Sequence, residues 1–168
     1  MSDAEKITAF VGLGSNLDQP LQHIQQAATA LDQIPDTELI ALSPLYQSSA
    51  IGPGEQPDYI NAVAALTTSL SAHQLLHQLQ SIENQQGRSR GPERWTARTL
   101  DLDLLMFGND VINTAKLTVP HPRMTERNFV LYPLRDLAHR LNPELTLPNG
   151  QRIISLADQC KNDGISPA

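Results

Sequence analysis

The sequence predicts an α+β fold, a mainly antiparallel sheet with a ferredoxin-like βαββαβ core, flanked by helices and carrying an added hairpin. Three observations point there. Strand-like apolar runs and segments of helical spacing come in the order strand, helix, strand, strand, helix, strand, hairpin, helix. The 168 residues suit one domain, residues 1–168, with a proper core. The composition, 40% hydrophobic and 18% charged, is that of a globular protein.

Ile7-Thr8-Ala9-Phe10-Val11-Gly12-Leu13 reads as the first strand, turned by Gly14-Ser15-Asn16, where Gly permits unusual backbone angles and Ser or Asn can cap the next helix. Leu21, Ile24, Ala28 and Leu31 recur at helical spacing, so a helix is expected from Pro20 to Gln33, with Pro20 suited to its first turn. Leu39 to Ser43 reads as a second strand that continues through Leu45-Tyr46-Gln47. Ser48 to Asp58 holds Gly52, Pro53, Gly54 and Pro57 and reads as a loop. Tyr59 to Thr68 is a third strand, on which Tyr59 and Asn61 share a face. Ser71 caps a second helix, whose apolar stripe is Ala72, Leu75, Leu76, Leu79 and Ile82. His73 and His77 have metal-ligand spacing on that helix, but no third ligand is in view and no site is expected there.

The chemistry gathers after that helix. Residues 87–98 hold Arg88, Arg90, Arg94 and Arg98, four of the chain's 12 basic residues, in a segment that Gly91-Pro92 keeps from being a regular element. Guanidinium groups suit phosphate because their donors form a planar fork. From Thr99 the chain becomes a strand whose apolar run is interrupted only by Asp101 and Asp103. Alternation puts both carboxylates on one face and Leu100, Leu102 and Leu104 on the other. Adjacent carboxylates repel unless something positive compensates, and Mg²⁺ held by one or two carboxylates plus substrate phosphates does so well. Gly108-Asn109-Asp110 then makes a turn, and Val111-Ile112 with Leu117-Thr118-Val119 makes a hairpin. Met124 to Leu141 reads as largely helical, interrupted near Pro133, with Arg123 and Arg127 on its first turns. The tail from Leu145 to Ala168 holds a Pro148-Asn149-Gly150 turn and Cys160, with no chemistry expected.

Arg98-Thr99-Leu100-Asp101-Leu102-Asp103-Leu104-Leu105 resembles the signature of 6-hydroxymethyl-7,8-dihydropterin pyrophosphokinases of the folate pathway. The Gly14-Ser15-Asn16 end of the first strand, Tyr59-x-Asn61 and Val119-Pro120-His121 resemble further motifs of that family in the right order, across roughly residues 8–134. Two positions depart from it: Thr96 stands where the family usually has Gly, and Pro122 where some members carry an aromatic. The resemblance implies diphosphate transfer from ATP to the pterin hydroxymethyl group, giving AMP. It implies two Mg²⁺ at Asp101 and Asp103, with Arg88 and Arg98 as catalytic groups. It implies ATP contacts from Gln80, Glu83, Arg90, Trp95, Leu104, Lys116, Thr118, His121 and Arg127. It implies pterin contacts from Gly14, Ser48, Ser49, Ile51, Tyr59, Asn61, Trp95 and Phe129. Physically, Asn sets a donor beside an acceptor, which suits a pterin edge, and an aromatic ring can stack on the heterocycle. The basic segment from Arg88 to Arg98, with Trp95 inside it, is expected to close over bound substrates.

The partners expected are small molecules, ATP and a reduced pterin. A net charge of −6 argues against nucleic acid as a partner. An RNA-binding ferredoxin-like module should carry aromatics on its central strands, and aromatics are only 4% of this chain. Nucleotide-sugar transferases also use Asp-x-Asp, but on a parallel nucleotide-binding sheet that this element order does not suggest. No apolar run is long enough to span a membrane, the N-terminus has no targeting core, and the single cysteine allows no intrachain disulfide. A cytoplasmic monomer is the expectation.

Overall fold

The structure, a computed structural model, describes residues 5–16, 19–48, 59–86, 100–162 and 164–168. Strand β1 (Ile7–Ser15) leads to helix α1 (Pro20–Asp32), then β2 (Thr37–Leu42), β3 (Tyr46–Ser48) and β4 (Tyr59–Thr68). Helix α2 (Ala72–Gln86) leads to β5 (Leu100–Phe107), the hairpin β6 (Ile112–Asn113) and β7 (Thr118–Val119), and then α3 (Asn128–Leu141), α4 (Ile153–Gln159) and β8 (Ile165–Pro167). The main sheet has six strands in the order β5-β1-β4-β3-β8, with β2 also pairing β4. Its pairings are antiparallel. The expected α+β class and antiparallel core are present, and the described residues form no parallel nucleotide-binding sheet.

Helices cover both faces, which is why β1, β4 and β5 read as nearly continuous apolar runs. On one face Ile24 and Leu31 of α1 and Leu75 and Leu79 of α2 pack against Val11, Leu13, Ala64 and Leu102. On the other, Val130, Leu134 and Leu137 of α3 pack against Phe10, Val63 and Leu105. Each large side chain buried in this way stabilises the fold by about 1.5–3 kcal/mol. The apolar face holds α2 against the sheet, and a reciprocal cap starts the helix. The Gln74 backbone N–H donates to Ser71 Oγ at 3.1 Å, and the Ser71 N–H donates to Gln74 Oε1 at 2.9 Å.

Four sequence expectations change. The second strand is broken into β2 and β3 at Ser43-Pro44-Leu45. Pro44 has no donor for a ladder, and Ser43 bridges the gap by accepting the Val63 N–H on its hydroxyl at 2.9 Å. Helix α1 is capped by Gln19 in the left-handed region (φ 58°) with no side-chain cap, not by Ser15 or Asn16, since β1 runs on to Ser15. Helix α3 passes through Pro133 without interruption. The missing hydrogen bond is outweighed by the buried face of Val130, Leu131, Leu134, Leu137 and Ala138, to which Pro133 itself belongs. The break lies earlier, at extended Arg127 (φ −115°, ψ 109°), which separates a 3₁₀ turn (Met124–Glu126) from α3. Arg123 and Arg127 therefore do not share one helix. The fourth change is β8, a strand in the tail where none is expected.

Candidate active site

The register of three strands builds the floor of the site. Asp101 and Asp103 on β5 lie opposite Gly14 and Gly12 on β1. Gly14 lies opposite Asn61 on β4, and Asn61 opposite Tyr46 on β3. Leu100, Leu102 and Leu104 join the core beneath α1 and α2, so the acid pair faces the α3 side as alternation requires. Gly12 and Gly14 keep the floor low between the acids and Asn61, which stand about 10 Å apart across two strand spacings. A Cβ on Gly14 would come 3.2 Å from Asn61 Oδ1 and crowd the amide.

Above this floor lies a cavity of about 800 Å³. It gathers Gly14, Ser48, Tyr59, Asn61 and Phe129, all expected around a pterin, with Asp101, Asp103 and Arg127. Asn61 is 4% exposed, and its Nδ2 donates to Ser48 Oγ at 2.7 Å. That bond fixes the amide and sets its Oδ1 toward Gly14. The Arg127 guanidinium lies over the Phe129 ring, 5.5 Å from its centroid, so a cation and an aromatic wall share one rim. The N-terminal turn of α3 opens on the same cavity, where the helix dipole favours negative charge.

His121 lies within electrostatic range of Asp103, on the segment after β7, whose path is tied to β5 by the His121 N–H donating to Leu105 O at 2.9 Å. Its ring is half-buried. Burial pushes its pKa below the ordinary value of 6.5, the Asp103 charge opposes that, and Arg127 and Arg123 add to the lowering. The Arg123 N–H donates to His121 Nδ1 at 3.2 Å, so the proton of the neutral ring sits on Nε2. A depressed histidine pKa means that the unfolded chain takes up this proton first as pH falls. The contribution is therefore complete above pH 6.5 and is lost as pH drops below it. In metal-free protein, the His121 resonances should titrate below 6.5, and Asp103→Asn should move the midpoint further down. A midpoint at or above 6.5 in the parent protein would contradict this placement.

The remaining expected nucleotide contacts divide. Gln80 and Lys116 meet in a second hollow of about 500 Å³ with His73, Leu76 and His77. His73 Nε2 lies 3.1 Å from Thr114 Oγ1, and no group of three or more metal-ligating side chains occurs among the described residues. Glu83 accepts the Leu102 N–H at 2.9 Å, which occupies a ladder group on the outer edge of β5. Thr118 is exposed on β7. The Leu104 side chain is 3% exposed in the core, so it does not reach the cavity side of β5. Ser49, Ile51, Arg88, Arg90, Trp95 and Arg98, and with them the expected loop closure, lie outside the described residues.

Sequence reasoning missed the tail. Cys160, Lys161 and Gly164 line the main cavity. Tyr132 Oη donates to Cys160 O at 2.7 Å, and Asn128 Nδ2 donates to Lys161 O at 3.0 Å. The one hint in the sequence is a β-branched Ile165 directly after Gly164, too short a signal to predict a strand.

The acid pair suits a hard divalent cation. Asp101 is exposed and Asp103 half-buried, and together they offer oxygen donors on one face beside an open floor. Two carboxylates on one open face fit a cation of the Mg²⁺ type, which commonly takes one or two carboxylates and completes its shell with water and phosphate.

Known proteins resemble this chain closely. The family model described as 7,8-dihydro-6-hydroxymethylpterin-pyrophosphokinase (HPPK) matches residues 10–139. A 2-amino-4-hydroxy-6-hydroxymethyldihydropteridine pyrophosphokinase from Pseudomonas aeruginosa is 49% identical over 156 residues, 93% of this chain and 93% of that protein. Its counterpart from Haemophilus influenzae is 47% identical over 153 residues, covering 91% and 92%. A crystal structure of Plasmodium falciparum HPPK-DHPS with pteroate matches with a TM-score of 0.68 at 15% identity, which speaks to the fold. That match covers 95% of this chain but 43% of the other, so the chain spans less than half the length of that protein.

Proposed function

The chain belongs to the 7,8-dihydro-6-hydroxymethylpterin-pyrophosphokinase family, and from that premise we propose how its residues divide the work. The reaction is pyrophosphoryl transfer from ATP to 6-hydroxymethyl-7,8-dihydropterin in folate synthesis. The hydroxymethyl oxygen bonds to the β-phosphorus, the bond between the α- and β-phosphates breaks, AMP leaves, and the hydroxyl proton is released. The reading of the site rests on one observation: Asn61 and Tyr59 stand at one end of a single cavity and Asp101 and Asp103 at the other, with the glycine floor between.

In this reading Asn61 hydrogen-bonds the pterin edge, with Ser48 holding its amide, and Tyr59 and Phe129 flank the ring. Asp101 and Asp103 hold two Mg²⁺, which when bound neutralise phosphate charge and orient the β-phosphate. Arg127 and His121 add donors on the side of the acids, and Gln80, Glu83, Lys116 and Thr118 contact the nucleotide, the first and third across the second hollow. Arg88 and Arg98 neutralise charge as AMP leaves. The chain acts as a single catalytic domain, a cytoplasmic monomer with one free thiol at Cys160.

The test is product identity. Mixed with ATP, Mg²⁺ and hydroxymethyl-dihydropterin, the protein should release AMP and pterin diphosphate in equal amounts. ADP would mean single phosphoryl transfer, and no turnover would reduce the cavity to a binding site. Either result overturns the reading.

A further inference from the structure

The end of the chain is built into the cavity. Beyond α4, the backbone carbonyls of Cys160 and Lys161 are held by Tyr132 and Asn128 of α3, and Cys160, Lys161 and Gly164 line the cavity itself. Strand β8 then pairs Ile165 with Ser48, Ser166 with Gln47 and Pro167 with Tyr46. The Ala168 N–H donates to Leu45 O at 2.9 Å. Hydrogen-bonded pairs alternate along an antiparallel ladder, so the next such pair is Ser166 with Gln47, and Pro167 falls where no donor is needed.

The strand that β8 covers is the one that carries Ser48. Strand β3 has three residues and three register pairs with β4, a short footing for a group that must orient Asn61. With β8 on its other side, β3 is held from both edges. The contacts with α3 close the circle. Tyr46 Oη donates to Asp136, and the Tyr46 ring meets Tyr132 edge-on with centroids 6.3 Å apart. The Arg135 guanidinium lies 4.7 Å over the Tyr132 ring. Tyr132, which holds the tail through Cys160 O, therefore also buttresses β3.

We propose that residues 160–162 and 164–168 are a positioning element of the pterin pocket, which fixes β3 so that Ser48 presents its acceptor to Asn61 and supplies the cavity wall at Cys160, Lys161 and Gly164. The proposal rests on the reading that the Asn61 end of the cavity takes the pterin. Strand β8 and the acid-bearing β5 stand at opposite ends of the sheet order β5-β1-β4-β3-β8, and β8 pairs with the strand that carries Ser48, so its influence is expected on one substrate.

Two full-length variants test it. Ser166→Pro removes the central ladder donor of β8, and Tyr132→Phe keeps the ring but drops the hydrogen bond to Cys160 O. Titration calorimetry with the pterin and with a non-hydrolysable ATP analogue is read beside KM, kcat and Tm. Ser166→Pro should weaken pterin binding about tenfold and Tyr132→Phe about threefold to fivefold, the scale of one or two lost hydrogen bonds. Nucleotide affinity should stay within about twofold, and the pterin KM should rise with kcat nearly kept, the pattern of lost uniform binding. Unchanged pterin affinity in both variants overturns the proposal. Parallel losses for both ligands with a lowered Tm also overturn it, because that is a general structural role. If Ser166→Pro does not fold, Tyr132→Phe decides alone. Asn61→Ala separates the two levels: if it weakens pterin binding while the tail variants do not, only the tail proposal fails. If Asn61→Ala changes nothing, the pocket assignment fails and the tail proposal with it.

Discussion

Asp101→Ala and Asp103→Ala should each lower kcat/KM for AMP release on the order of 10³-fold, with the fold retained. A bound cation supplies several kcal/mol of transition-state charge stabilisation, and each 1.36 kcal/mol is a factor of ten in rate. The fold should tolerate the change because of where the acids stand. Asp101 is exposed and Asp103 half-buried, and both face the cavity rather than the core, whereas Leu100, Leu102 and Leu104 hold β5 in place from the other face. Removing one of two adjacent carboxylates also relieves their repulsion, which offsets lost contacts. Steady-state AMP release at saturating Mg²⁺ and the thermal midpoint measure the two halves of this prediction. Near-normal turnover by Asp101→Ala would remove the acid pair from the chemistry. A collapse of the fold in both variants would make the acids structural instead.

The acid pair was legible in the sequence because period-two alternation is a local property of a strand, and only two polar residues break the run from Leu100 to Phe107. Tyr59 and Asn61 were legible for the same reason. Their nearness to the acids was not. It depends on β1 lying between β4 and β5, with Gly12 and Gly14 at the registers that leave the floor open. A sequence shows those glycines but not what stands opposite them. Strand β8 was hidden for a different reason. Three residues ending in proline carry no periodic signal, and what makes them a strand is the free edge of β3, a partner more than a hundred residues earlier. Helix α3 ran against a local rule. Pro133 argues for a break, but the buried apolar face decides, and the chain turns at Arg127 instead. That turn brings Arg127 to the cavity beside Phe129, so the local misreading bears directly on the site.

Asn61→Ala should raise the dissociation constant for the pterin on the order of 10- to 100-fold, since stranding buried donors or acceptors costs about 1–3 kcal/mol. Affinity for an ATP analogue should stay within about twofold, because Asn61 lies across the glycine floor from the acids, about 10 Å away. The side chain is placed to do one task. It is 4% exposed, its Nδ2 is committed to Ser48 Oγ at 2.7 Å, and its Oδ1 faces the floor at Gly14. A ring edge bound there would meet an amide that cannot rotate away. Two neighbours sharpen the test. Ser48→Ala leaves the amide in place but unanchored, so its effect should be smaller than that of Asn61→Ala and of the same kind. Gly14→Ala puts a methyl 3.2 Å from Asn61 Oδ1, and the amide must shift by a few tenths of an ångström or lose its bond to Ser48. Calorimetry with each ligand separately gives the answer. A pterin-specific loss graded from Asn61→Ala down to Ser48→Ala would fix the amide as the pterin contact. Equal losses for both ligands, or Ser48→Ala exceeding Asn61→Ala, would move Asn61 out of the pocket and leave its hydrogen bond to Ser48 as a brace between β3 and β4.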